Sequence, residues 1–361
     1  MKTKKVVALG AALGVAIAGA AVAFPASAEP VSNSYVLVGS DTLQDSTNAL
    51  INSTNITGTT VRVTSANTTL GSFDAFGSPL IQTKPGGAYF TRPAGSGAGV
   101  NALRASITGN PYGSPAKVIT GQVDIARSSS GPGANASTTG LLSYVPYARD
   151  AVSYAYKGGT GAWATLDAAT LKQVYECTLT TIDGVAVTPR LPQSTSGTRS
   201  FFLSAIGVTT PGACTNGTAT TLPENDATVI NTGEIIPFSV ASWVAQANGA
   251  TPSNSTSSAG ALLGSAVSGQ VPYTGTGSSL VPSSGYYANT TFGRDTYLVV
   301  EFARINSADP KYDAKLAALV NPSGASLTNF SALFTTPGAV KSKYGFLAPS
   351  TTVPQRAFNT L

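Results

Sequence analysis

The sequence predicts an α/β protein of two domains, each a mainly parallel sheet flanked by helices. Three observations lead there. Short extended runs alternate with helical patterns along most of the chain, the mark of repeated strand–helix units. About 330 residues follow an N-terminal leader, more than a single core ordinarily serves. Glycine and hydroxyl residues recur where an extended run passes into a helix.

The elements follow in order. SYVLV (34–38) reads as a strand, and DTLQDSTNALI (41–51) has the apolar spacing of a helix. VRVTS (61–65) predicts a strand, GVNALRASI (99–107) a helix and QVDIA (122–126) a strand. DAVSYAYKG (150–158) alternates as a strand does. LDAATLKQVYE (166–176) predicts a helix with Thr165 or Asp167 near its start. TRSFFLSAI (198–206) is helical, and EIIPFSVASWVAQA (234–247) is a strand turning into a helix. Between Asn248 and Tyr286 the chain is Ser, Gly, Thr and Ala with hardly a charge, which predicts a long surface excursion. YLVVEFARI (297–305) predicts a buried strand. PKYDAKLAALV (310–320), LTNFSALF (327–334) and PGAVKSKYGF (337–346) predict helices. Trp163 and Trp243 stand apart from other aromatics and are assigned to the core.

The leader sets the compartment. Lys2, Lys4 and Lys5 precede a weakly apolar stretch from Val6 to Phe24, and Pro25 and the small residues Ala26-Ser27-Ala28 follow. This is the pattern of a secretory signal (1–28) cleaved after Ala28. No cysteine lies near the cut to carry a lipid anchor, so the expected product is secreted. Losing three lysines from 21 Lys+Arg leaves 18 against 16 Asp+Glu, a net charge near +2. That balance argues against a nucleic-acid partner, which needs a basic face. In an exported chain Cys177 and Cys214 are expected to form a disulfide. The protein has no histidine. Neither a metal nor a cofactor is expected.

The chemistry sits at the strand–helix junctions VGSDT (38–42), AGSGAG (94–99) and STSGTR (194–199). The first turn of a helix leaves backbone N–H groups without partners, and the dipole makes that end positive. Glycine lets an anion approach the backbone, and Ser and Thr add donors. One such junction is usually only a capped helix. Three of them, on the carboxyl edges of open sheets where ligands sit, predict an anion site.

Several stretches resemble the phosphate-binding component of bacterial phosphate importers, within the type II periplasmic-binding-protein superfamily. They are VGSDT (38–42), GSGAGVNAL (95–103), VDIARSSSGP (123–132), YVPYARDAVSYAY (144–156) and SGTRSFF (196–202). The resemblance implies two lobes joined by a hinge of crossing strands, near 141–150 and 290–300. Lobe 1 would comprise 29–145 and 296–361, and lobe 2 would be 146–295. It implies that Thr42, the N–H of Leu43, Ser96, Ser196, Gly197 and Thr198 hold the anion. Two family positions differ here. The family's proton-accepting Asp falls on Ser129, leaving Asp41 or Asp124 as substitutes, and its Arg falls on Pro192. Arg127 or Arg199 would then supply the positive charge, although Arg199 serves equally well to tie down its loop.

The implied function is capture of phosphate, or of sulfate or a related oxyanion, by hinge closure. The implied partner is an ABC permease in the membrane, with the protein a monomer and not an enzyme. Two other readings stand beside it. One is a secreted adhesion or scaffolding protein that keeps the fold. The other is a hydrolase of phosphate esters with Ser196 as nucleophile, which without histidine would need another base.

Overall fold

The computed structural model describes residues 34–215, 222–251, 256 and 259–361; the expected leader and its cleavage site lie outside them. The frame is a nine-stranded sheet built from β1 (Tyr35–Gly39), β2 (Leu70–Ser72), β3 (Ile125–Ser128), β4 (Leu142–Tyr156), β5 (Thr188–Pro189), β6 (Glu234–Ser239), β7 (Leu262–Leu263), β8 (Gly293–Glu301) and β9 (Gln355–Ala357). Its order is β5-β6-β4-β8-β3-β1-β2, with β7 and β9 also pairing with β4. The outer pairs, β1 with β2 and β3 and β5 with β6, are parallel. The long β4 and β8 run antiparallel to each other and to their neighbours. Five helices matter here: α1 (Gln44–Asn52), α2 (Ser96–Thr108), α3 (Ala168–Tyr175), α4 (Gly197–Ala205) and α5 (Val240–Ala247).

β1 shows why its sequence is continuously apolar. Val36 and Val38 pack with Phe73, Phe90 and Leu103 in one buried cluster, while Tyr35 and Leu37 enter another with Leu50, Val145 and Leu298. Both faces of the strand are covered, as in parallel α/β sheets. A third cluster draws only on residues 151–292 and holds Trp163, Tyr175, Phe202, Phe238 and Trp243. β4 enters all three, through Tyr144, Tyr147 and Tyr154. Its ladder with β8 slips where Thr296 faces Ala148 but Tyr297 faces Pro146. Pro146 has no N–H to donate, and Tyr147 is the extra residue of the bulge.

The helix starts have local causes. Asp167 accepts from the Thr170 N–H at 2.8 Å and caps α3. Ser239 ends β6 and caps α5 by accepting from the Ser242 N–H at 3.1 Å, so one residue turns the strand into the helix. Cys177 and Cys214 are joined, tying the end of α3 to the segment beyond α4.

Three expectations need correction. Residues 61–65 form only isolated bridges, Val61 with Thr54 and Ser65 with Thr68. Val61 and Val63 do alternate inward, but among the described residues these bridges do not extend into a ladder. Residues 327–334 are turns rather than a helix. Here Ser326 Oγ accepts from the Asn329 N–H and Asn329 Oδ1 from the Ser331 N–H, local bonds that compete with helical ones. The 248–286 region is not simply a surface excursion: Leu263, Leu280 and Tyr286 are buried in the third cluster.

Candidate functional site

Four junctions bring hydroxyls together. β1 ends at Gly39, and the turn that follows places Thr42, nearly fully buried, at the start of α1. Gly95, at φ 95°, turns the chain into α2 and presents Ser96. The end of β3 supplies Ser129, and Ser196 opens α4 ahead of Gly197 and Thr198. Ser96 Oγ lies 3.1 Å from Ser129 Oγ and accepts from the Ser129 N–H at 3.0 Å. Thr42 Oγ1 lies 3.5 Å from Thr198 Oγ1. The starts of α2 and α4 touch, since the Gly97 N–H donates to the Thr195 carbonyl at 3.1 Å. A Cβ on Gly95 would stand 2.6 Å from that carbonyl, and one on Gly197 would collide with Ser96 Oγ and Ser129 Oγ. Only glycine permits so close an approach of two backbones.

A cation that motif reasoning missed stands beside Thr198. Arg294, in β8, donates from Nη2 to Thr198 Oγ1 at 3.0 Å. It also holds Asp150 of β4, from Nε at 3.0 Å and Nη2 at 2.8 Å. Asp150 is wholly buried, and its other oxygen accepts from Ser239 Oγ and the Ala241 N–H, each at 3.0 Å. Arg294 is only 3% exposed, packs over the Phe201 ring, and keeps a buried Nη1 with no hydrogen-bond partner. A sequence signal did exist: arginine and aspartate embedded in two apolar extended runs are seldom buried unless paired.

A second missed residue is Glu224. Its carboxylate accepts from Ser196 Oγ and, at 3.2 Å, from the Thr198 N–H, so it sits on the first turn of α4. Ser196 Oγ also accepts from the Arg199 N–H at 3.0 Å, the ordinary capping role. Burial, then the charge and hydrogen bond of Glu224, push the Asp41 carboxyl well above the usual carboxylate range. Asn225 fastens the same loop. Its Nδ2 donates to Asp41 Oδ1 and Thr42 Oγ1, each at 3.1 Å, and its Oδ1 accepts from the Ser239 N–H at 2.9 Å. Nothing in the sequence around Pro223-Glu224-Asn225 announces this.

Arg127, Arg199 and Asp124, the other charged candidates, have partners of their own. Arg127 is fully buried, but Nε donates to the Ser40 carbonyl at 3.0 Å and Nη2 to the Phe73 carbonyl at 2.6 Å. Burial lowers its guanidinium to about 10. Arg199 Nη1 donates to the Pro192 carbonyl at 2.9 Å, tying down its own loop. Asp124 is engaged by Lys84 and Arg304. Leu43 immediately precedes α1, with its side chain fully buried. Among the described residues no group of three or more His, Cys, Asp or Glu side chains is placed to hold a metal ion.

Beside the hydroxyl cluster opens a cavity of about 310 Å³, lined in part by Asp41, Thr42, Glu224, Gln246, Tyr344 and Phe346.

The fold is similar to that of solved phosphate receptors. One is an ABC-type phosphate transport receptor from Vibrio cholerae, with 15% identity and a TM-score of 0.50, covering 87% of this chain and 100% of that one. Another is a phosphate ABC-transporter substrate-binding protein with bound phosphate from Clostridium perfringens, with 12% identity and a TM-score of 0.50, covering 88% and 99%. No family model and no curated relative matches the sequence. The likeness establishes the two-lobed α/β fold.

Proposed function

We propose that the protein is an extracytoplasmic solute-binding protein that captures phosphate, or a similar oxyanion, between its lobes and delivers it unchanged to an ABC permease. The lobes are 29–145 with 296–361, and 146–295. β4 and β8 are the crossing strands about which they close. The observation that carries the reading is convergence: Thr42, Ser96 and Ser129 meet Ser196, Gly197 and Thr198 beside Arg294, whose buried Nη1 has no partner. Hydrogen bonds to a charged group contribute roughly 1.5–3 kcal/mol each. Half a dozen support micromolar binding, about −8 kcal/mol, after closure and desolvation are subtracted.

No bond needs to be made or broken. Ser196 is fully buried, and its hydroxyl is used by Glu224 and by the first turn of α4. That geometry favours holding an anion over attacking an ester. The leader and the disulfide agree with a location outside the cytoplasm.

The test is a thermal-shift and calorimetric series with phosphate and with sulfate. A ligand selective for the folded state raises the melting temperature. Phosphate should raise it, and Thr42→Val or Thr198→Val should abolish the rise. Arg199→Ala, whose side chain is engaged by Pro192, should matter less. A flat response to every oxyanion would refute transport and leave a secreted scaffold.

A further inference from the structure

We propose that the Glu224 carboxylate is a built-in occupant of the anion position on α4, and that an incoming oxyanion must displace it to bind. The proposal rests on the oxyanion reading above and adds how that site is regulated. Glu224 accepts from Ser196 Oγ and from the Thr198 N–H, two of the donors that the reading assigns to the ligand. A free anion and this carboxylate cannot use the same donors at once. They also repel each other in a place from which water is largely excluded.

The surroundings show how displacement would proceed. The loop itself is held, because the Asn225 carbonyl accepts from Gln246 Nε2 at 2.6 Å and the Asn225 side chain bonds to Asp41, Thr42 and Ser239. Glu224 is, however, also one of the residues that line the 310 Å³ cavity. In the proposed displacement the carboxylate turns about its own torsions from the helix start toward that space while Asn225 stays in place. Arg294 is a second, independent sign of a ligand here. Its charge is matched by Asp150, yet Nη1 remains buried and unpartnered beside Thr198. The internal carboxylate satisfies α4 and leaves Arg294 unsatisfied, whereas an oxyanion reaching both would satisfy the two together.

A competitor tethered in this way lowers the apparent affinity by the fraction of molecules in which it has moved aside. Removing its charge should restore the full affinity. Phosphate binding is measured by titration calorimetry on the purified protein and on Glu224→Gln, Glu224→Ala and Glu224→Ala/Thr198→Val, with melting temperatures recorded for each. Glu224→Gln and Glu224→Ala should each bind phosphate at least about tenfold more tightly than the parent. The added Thr198→Val should remove that gain, and acetate should compete with phosphate in Glu224→Ala by taking the vacated place. If the parent binds phosphate and both folded Glu224 variants bind it equally or more weakly, the internal-occupant proposal is overturned while the oxyanion reading stands. If no variant binds phosphate or sulfate, both are overturned.

Discussion

Arg294→Met isolates the ion pair under the site. Asp150 is wholly buried and accepts four hydrogen bonds, two of them from Arg294. The substitution keeps much of the side-chain volume and removes both charge-assisted bonds, leaving a carboxylate in the core without a cation. Stripping one partner from such a pair costs about 3–5 kcal/mol. Two hydrogen bonds to a charged group, at roughly 1.5–3 kcal/mol each, sum to the same range. At roughly 2–4 °C per kcal/mol for a folding unit of 150–250 residues, the melting temperature should fall by about 6–20 °C. Scanning calorimetry on Arg294→Met, Asp150→Asn and the double variant closes the cycle. Asn keeps an oxygen for Ser239 and Ala241 while discarding the charge, so the double variant should be less damaged than the two singles added together. A fall under about 3 °C for Arg294→Met, or strict additivity in the double, would refute the view that this pair is energetically coupled.

Three further outcomes are expected. Reducing Cys177–Cys214, which closes a 37-residue separation, should destabilise the protein by roughly 3–4 kcal/mol, read as a lower melting temperature in reductant and in the double Cys→Ser variant. Lys341 is fully buried, donating to the Tyr147 and Leu327 carbonyls at 2.8 and 3.1 Å, and burial holds its ammonium well below its ordinary value. The folded chain releases that proton at lower pH than the unfolded one, so stability should climb as pH rises through that interval, and Lys341→Met should flatten the climb. Gly197→Ala should cost about 1–3 kcal/mol by overpacking against Ser96 and Ser129, and it should weaken any phosphate response because it wedges α2 and α4 apart; an unchanged melting temperature would contradict the contact.

Much of the frame was legible because period and burial coincide. The runs at 34–38 and 297–301 are apolar on both faces because both faces are covered, and Ser196 and Asp167 do cap helices. The run at 61–65 misled because alternation reports which side chains turn inward, not whether a neighbouring strand exists. Residues 327–334 misled because Ser326 and Asn329 offer the backbone other partners. At the site, the hydroxyl-rich junctions were readable one by one, since each is a local turn. The charges were not. Arg294 reaches Thr198 across 96 positions and Glu224 reaches Ser196 across 28, and only the folded topology specifies such meetings. Arg127 misled in the other direction: it adjoins the junction in sequence, but its guanidinium points to backbone carbonyls of β1 and β2's surroundings.

The place of β8 in the sheet has a consequence for how the chain must be made. It lies between β3 and β4, yet it is synthesised only after residue 292. Until it emerges, the edge of β3 has no neighbour and Asp150 has no guanidinium. A chain made from its N-terminus therefore cannot complete its central seam until most of its length has been synthesised.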